Sequence, residues 1–125
     1  MAATATTASI ADPLANTLYT VTESSTKVAP VALDASGGTL YAVEIDNTAN
    51  TAVAYLHMYN VAVGSVIIGT TAEDYTFMAP AGQRVTYACP NGAAYSTALT
   101  AGVVSSPGGS VGPSASVTAY VLVEN

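Results

Sequence analysis

The residues best able to do chemistry are few in this sequence, and they begin with a single histidine, His57. His57 alternates with Tyr55 and Tyr59, so a strand here would place the three side chains on one face. Leu56 and Met58 would then lie on the opposite face. A Ser–His–Asp triad is possible from the residues present, yet no carboxylate is obviously placed to orient the imidazole. We therefore predict that His57 is a hydrogen-bonding surface or interface residue and that the chain has no catalytic site.

Carboxylates form two local pairs. Glu44 and Asp46 would share one face of a strand, roughly 6 to 7 Å apart. That spacing resembles the acid pair of glycoside hydrolases, but sugar clefts need aromatic walls and the chain has no tryptophan, so we expect a solvated strand face. Glu73 and Asp74 are loop neighbours without the regular spacing of a calcium loop. We predict no metal site, with weak calcium binding at this loop as the alternative.

The cysteine and glycine residues indicate no further chemistry. Cys89 is the only cysteine, so no disulfide can form within the chain, and stability must come from packing or assembly. No cation or helix N-terminus is indicated beside it to activate a thiolate, and we expect a small buried apolar residue. The pairs Gly37-Gly38 and Gly108-Gly109 match no phosphate-binding motif. They are interpreted as turns, and no cofactor is predicted.

Charge excludes several classes of partner. Two basic residues against eight acidic ones give a net charge of −6, and phosphate binding needs clustered Lys or Arg. Nucleic acid and anionic membrane surfaces are therefore excluded as partners. The longest apolar stretches are far shorter than the ~20 residues of a membrane-spanning helix. The first residues lack the pattern of a secretory signal, so we expect synthesis and folding in a reducing cytoplasm.

The chain from residue 17 onward reads as one all-β domain, residues 17–125. Short runs of β-branched and aromatic residues alternate with small polar ones and end at Gly, Pro, Asn or Asp, which is typical of antiparallel strands. About eight strands at this spacing predict a two-sheet β-sandwich, plausibly a jelly roll. The expected strands are Thr17–Glu23, Val28–Leu33, Thr39–Asp46, Val53–Tyr59, Tyr75–Ala79, Gln83–Cys89, Ala98–Val104 and Ser116–Glu124.

Two of these strands carry more specific expectations. Alternation places Tyr41, Val43 and Ile45 on one face of Thr39–Asp46. Both faces of the last strand are fairly apolar, because Val121 and its neighbours on one side are opposed by Tyr120 and Leu122 on the other. That strand is therefore expected to be central in a sheet or covered by a partner.

Residues 1–16 show no sustained period and are interpreted as an extended N-terminal arm. The arm is either a frayed end or a segment that docks on a neighbouring subunit, and Ile10 and Leu14 are its candidate contact residues. Low charge and eight tyrosines favour assembly with other chains. The candidate interface residues elsewhere are Tyr55, His57, Tyr59 and Tyr120. The face carrying Tyr55, His57 and Tyr59 is either a contact patch or is covered by the subunit's own loops.

Five segments between residues 39 and 123 combine strand and turn residues. They are the run from Tyr41 to Tyr55, then Ile68-Gly-Thr-Thr-Ala-Glu-Asp74, Met78-Ala-Pro-Ala-Gly82, the run from Asn91 to Leu99, and the closing run from Ser116 to Val123. Together these segments resemble small structural proteins of tailed bacteriophage virions. The chain departs from the expected pattern at Val61–Ile68, which is longer than a tight loop.

The resemblance implies a non-enzymatic β-sandwich subunit of a virus particle. It favours a capsid decoration or cement protein on the virion surface, homotrimeric and bound to the major capsid protein. The alternative is a neck, tail or fibre component, which could bind a receptor or a glycan.

Overall fold

The computed structural model describes residues 3–9 and 15–125, and strands dominate this part of the chain. The described residues form nine strands, and one short 3-10 turn lies at Val63–Ser65. The strands are β1 Thr4–Ser9, β2 Thr17–Glu23, β3 Val31–Asp34, β4 Gly38–Asp46, β5 Ala54–Tyr59, β6 Tyr75–Ala79, β7 Arg84–Tyr95, β8 Leu99–Val104 and β9 Val117–Glu124.

Two antiparallel sheets form the predicted β-sandwich. One sheet has the order β1-β2-β9-β4-β7 and the other the order β3-β8-β5-β6. Strands β2 to β9 pair as though one long hairpin had been rolled up, with β2 beside β9, β3 beside β8, β4 beside β7 and β5 beside β6. Successive pairs of this hairpin alternate between the two sheets. Strand β1 lies outside the hairpin and extends the first sheet beyond β2.

The core lies between the sheets and is built from the alternating faces of the strands. On β9 the residues Val117, Ala119, Val121 and Val123 are buried while their neighbours are more exposed. This strand lies between β2 and β4, which confirms its expected central position. The second sheet contributes inward residues of β5 and β8 to the same cluster: Ala54, Leu56, Met58, Leu99, Ala101 and Val103.

The expected face of β4 is only partly right. Val43 and Ile45 point into the core, but the inward residue before them is Leu40, because the register shifts between Leu40 and Ala42. Tyr41 occupies this irregularity and is half-buried. A single extra residue in a strand shifts all residues beyond it to the other face, so simple alternation fails here.

The Pro90-Asn91-Gly92 sequence consists of residue types typical of turns, but it lies within β7. Ala88 pairs with Ala42 and Ala93 pairs with Leu40, so four residues of β7 oppose one residue of β4. Gly92 has φ of 75° in this irregular stretch, a left-handed conformation that favours glycine. The turn-forming residues thus produce a bulge, and the strand continues to Tyr95.

A buried asparagine network closes one end of the sandwich. Asn47 has no exposed surface, and its amide nitrogen lies 3.0 Å from Ala52 O, 3.1 Å from Ala79 O and 3.1 Å from Pro80 O. Its side-chain oxygen accepts a hydrogen bond of 2.9 Å from the amide of Asn50. These bonds join the loop after β4 to the end of β6, so one side chain fixes several chain segments.

Two tyrosines close the side of the sandwich where β6 and β7 are the edge strands. The Tyr75 hydroxyl of β6 donates to Ala94 O of β7 at 2.7 Å, and the Tyr87 hydroxyl of β7 donates to Met78 O of β6. The rings of Phe77 and Tyr87 also pack against each other, with their centroids 5.3 Å apart. We call these two reciprocal hydrogen bonds the tyrosine clamp.

Part of the expected N-terminal arm is a strand of the sheet. Residues Thr4–Ser9 pair antiparallel with β2 in an unbroken register from Thr4 opposite Thr22 to Ser9 opposite Thr17. Ile10 and Leu14 lie outside the described residues, so their expected contacts stay a prediction, as does docking of the arm on a neighbour.

Candidate functional site

The face of β5 that carries His57 is covered by the chain's own loops. Tyr55 is half-buried, while His57 and Tyr59 have no exposed surface. Tyr59 packs with Val66 and Ile68 in a second apolar cluster. Of the two alternatives for this face, the structure therefore shows the internal one, and the expectation of an exposed patch is wrong for His57 and Tyr59. The long Val61–Ile68 segment supplies part of the cover.

His57 has one ionic partner, Glu73. Its Nδ1 lies 2.9 Å from Glu73 Oε1, an ion-pair distance without hydrogen-bond geometry. Nε2 has no hydrogen-bond partner among the described residues. Burial lowers the pKa of His57, and the charge of Glu73 acts in the opposite direction. Burial therefore favours the neutral imidazole, beside a loop carboxylate that is itself partly exposed to solvent.

We expect stability to depend on pH through His57. The unfolded chain has an ordinary histidine pKa of about 6.5, whereas the folded-state pKa is lower. The unfolded state therefore binds the proton first, and the free energy of unfolding falls as the pH drops below about 6.5. Urea unfolding of wild type and His57→Gln between neutral pH and about pH 5 checks this. A slope that is the same in both proteins would contradict it.

The loop sequence Gly108-Gly-Ser-Val-Gly112, interpreted above only as turn chemistry, has the spacing of a nucleophile elbow. Such an elbow requires a strand-to-helix turn with the serine paired to a histidine. Ser110 instead lies in the loop between β8 and β9, where no helix follows. Because His57 Nε2 has no hydrogen-bond partner within the described chain, the two side chains do not form a nucleophile–base pair.

The carboxylate pair Glu44 and Asp46 binds an arginine of the neighbouring strand. Glu44 and Asp46 share a partly exposed face as expected, and Arg84 on β7 binds both, at 3.6 Å from Glu44 and 2.9 Å from Asp46. The hydrogen bonds of Thr48 and then Arg84 lower the pKa of Asp46. This is an exposed ion-pair network, which is worth little stability.

The loop carboxylates Glu73 and Asp74 do not converge. Glu73 faces His57, while Asp74 accepts a hydrogen bond of 2.6 Å from the backbone of Asn60. In residues 3–9 and 15–125 no three His, Cys, Asp or Glu side chains lie where they could hold a metal ion. Cys89 is half-buried rather than buried. Across the same part of the chain, no helix is long and apolar enough to cross a membrane.

Tyr120 does lie at a groove, on the outer face of the five-stranded sheet. The groove has a volume of about 280 Å³ and is open and mostly apolar. Its residues come from adjacent strands in two cross-strand rows. One row contains Tyr120, Glu44 and Thr86, and the other contains Leu18, Leu122 and Ala42. We call this surface the Tyr120 groove.

Alternation predicts most of the Tyr120 groove. A spacing of two residues puts Leu122 on the same face as Tyr120 in β9, and Ala42 on the same face as Glu44 in β4. No local pattern indicates that Leu18 of β2 joins them, because that requires the pairing of Leu18 with Leu122 across the sheet. Strand order, which is a long-range property, decides which half-exposed residues become neighbours.

Glu23 is a buried acid that sequence reasoning missed. It has no exposed surface, and one carboxylate oxygen has no partner in the described chain, while the other accepts a bond of 3.2 Å from Ser25 N. Burial raises its pKa. Glu23 is the last residue of β2, and the alternation of Tyr19, Val21 and Glu23 could have predicted that its side chain points inward.

Comparison of the chain with protein-family models, with curated proteins and with solved structures finds no match. The fold and the Tyr120 groove are therefore interpreted from the residues themselves.

Proposed function

We propose that this protein is a non-enzymatic structural subunit of a virion, most simply a decoration protein that binds the capsid shell and stabilises it. The strand order carries the proposal. A hairpin rolled into two sheets, with β2 to β9 paired as described, supports the assignment of a jelly roll, an architecture that recurs in viral capsid and lectin domains. Together with the resemblance to bacteriophage structural proteins, this order supports a place on a virus particle.

The surface chemistry supports binding to protein. A charged fraction of 8% is far below the ordinary value of about 25%, so much of the surface can enter a contact without desolvating charge. The Tyr120 groove offers an open apolar site between Leu18 and Leu122. We propose that a side chain of the major capsid protein fills this groove and that three subunits assemble on the shell.

One observation favours a second function, glycan binding by a fibre module. Tyr120 lies beside Glu44 and Thr86 on an open sheet face. An aromatic ring flanked by a carboxylate and a hydroxyl is chemistry that can bind a sugar. The strand order is equally compatible with this alternative, because lectin domains share it.

Particle binding tests the proposal. Leu122→Lys places a charge in the Tyr120 groove, and we expect about a tenfold loss of affinity for capsid shells, equivalent to about 1.4 kcal/mol. Thr118→Lys makes the same change on the same face of β9, two rows from Leu122, and should bind normally. Quantitative gel analysis of purified particles measures both, and an electron-microscopy map of the particle locates the subunit.

Equal occupancy of the two variants would reject the groove as the shell contact. A wild-type chain that is missing from the particle map would reject the function itself. Binding to a glycan that Tyr120→Ala abolishes, without binding to shells, would support the fibre alternative.

A further inference from the structure

The four sheet edges of the sandwich differ in how open they are to another strand. On one side, the tyrosine clamp ties β6 to β7 and occupies backbone carbonyls of both strands. On the other side, β3 has only four residues, and its register shifts between Ala32 and Asp34. Short and irregular strands are poor templates for pairing. β1 is the remaining edge.

Within the described residues, strand β1 has no charge, proline or bulge that would protect its edge. Its six residues, Thr-Ala-Thr-Thr-Ala-Ser, contain no charge and no proline, and they pair with β2 without a register shift. Thr4, Thr6, Thr7 and Ala8 are exposed. Because β2 lies on one side only, alternate N–H and C=O groups of β1 point away from the sheet, and an extended chain can pair with them.

Charge indicates that the second strand can come from another copy of this chain. Two copies carry −6 each and repel at most orientations. β1 has no charge, and the outward residues of β2 beside it, Leu18, Thr20 and Thr22, have none either. Along this neutral strip, two acidic molecules can approach without bringing negative charges face to face.

We propose that two copies of this protein associate through antiparallel pairing of their β1 strands, which joins the two five-stranded sheets into one. A two-fold axis normal to the sheet keeps both outer faces on one side. Two registers are compatible with this axis. Pairing about Thr6 sets Thr4 opposite Ala8 of the second copy, and pairing about Thr7 sets Ala5 opposite Ser9. Threonine opposite threonine is a favourable cross-strand pair.

The contact is small, which sets the expected affinity. Six residues a side is well below the roughly 20 to 30 residues of a stable interface. We therefore expect dimers only at high micromolar concentration, and more readily where a shell concentrates the subunits. The inference concerns the soluble protein and does not rest on the proposed virion function.

Sedimentation over a range of concentrations tests the inference. Wild type should show a monomer–dimer equilibrium. Thr6→Lys places a charge at the open edge and should raise the dimer Kd about tenfold or more. Thr76→Lys puts the same residue at an exposed position of β6, the clamped edge, and should leave the Kd unchanged. Circular dichroism checks that all three proteins are folded.

A disulfide trap identifies the contact. Thr6→Cys and Thr7→Cys are made separately in a Cys89→Ser background, and oxidation should cross-link at least one of them into dimers, since opposed Cα atoms in antiparallel strands are about 4.5 to 5.5 Å apart. Thr76→Cys should stay monomeric.

A strictly monomeric wild type, or dimers that Thr6→Lys does not weaken, would overturn the inference. A trimer unaffected by Thr6→Lys would overturn it too, while leaving the proposed virion function intact. A wild-type protein that dimerises but does not bind shells would reject the function alone.

Discussion

Asn47→Ala is expected to destabilise the protein by about 3 to 5 kcal/mol. The truncation removes an amide group whose two N–H bonds are shared among Ala52 O, Ala79 O and Pro80 O, and it removes an acceptor for Asn50. Each buried group left without a partner costs about 1 to 3 kcal/mol, and the network has no exposed surface at Asn47 through which water could replace the side chain. Urea unfolding measures the loss.

Two further variants separate the hydrogen bonds from the loss of volume. Asn47→Asp keeps the shape but cannot donate, and its carboxylate would face three carbonyl oxygens, so we expect a loss at least as large. Asn91→Ala removes an exposed asparagine of β7 and should change stability by no more than about 0.5 kcal/mol. If Asn47→Asp were as stable as wild type, the hydrogen-bond account of this site would be wrong.

Tyr59→Ser is expected to cost about 3 to 5 kcal/mol, as large-to-small changes of buried aromatic residues do. Tyr59 has no exposed surface and packs with Val66, Ile68 and Val104 beneath the loops. Under the proposed function, the same variant should still bind capsid shells at temperatures where it is folded, because the residue is internal. Thermal and urea unfolding measure the first effect, and particle occupancy measures the second.

Tyr59→Phe is the matched control for this prediction. The Tyr59 hydroxyl is buried with no hydrogen-bond partner in the described chain, and burial followed by the charge of Glu73 raises its pKa to about 12. Removing an unsatisfied hydroxyl while keeping the ring should leave stability unchanged or raise it by about 1 kcal/mol. A large loss in Tyr59→Phe would mean that the hydroxyl has a partner, and that packing alone does not explain the site.

The sequence predicts those strands that have a local signal of their own. Thr17–Glu23 and Tyr75–Ala79 begin and end where alternation and turn residues place them. The central position of β9 also agrees with its apolar composition, although its outer face at Tyr120 and Leu122 stays open as the Tyr120 groove. These features depend on neighbours in the chain, which a sequence shows directly.

The remaining features depend on contacts between distant residues. Alternation separates His57 from Leu56, which lies in the core between the sheets. It does not predict that Glu73 of the loop before β6 lies against His57 or that His57 is buried as well. β1 lacks an apolar period and forms a strand through pairing with β2, so tertiary contact overrides a weak local preference. Leu18 enters the Tyr120 groove for the same reason, because strand order brings it beside Leu122.

The tyrosine clamp also bears on the conditions that the fold tolerates. Many proteins guard a sheet edge with lysine or other charged side chains, whose repulsion of other strands is screened within about 3 Å at 1 M salt. The clamp instead uses neutral hydroxyls bonded to the carbonyls of Met78 and Ala94, and neutral hydrogen bonds do not depend on ionic strength in this way. The protection of the β6–β7 side against strand addition should therefore be the same at high and at low salt concentration.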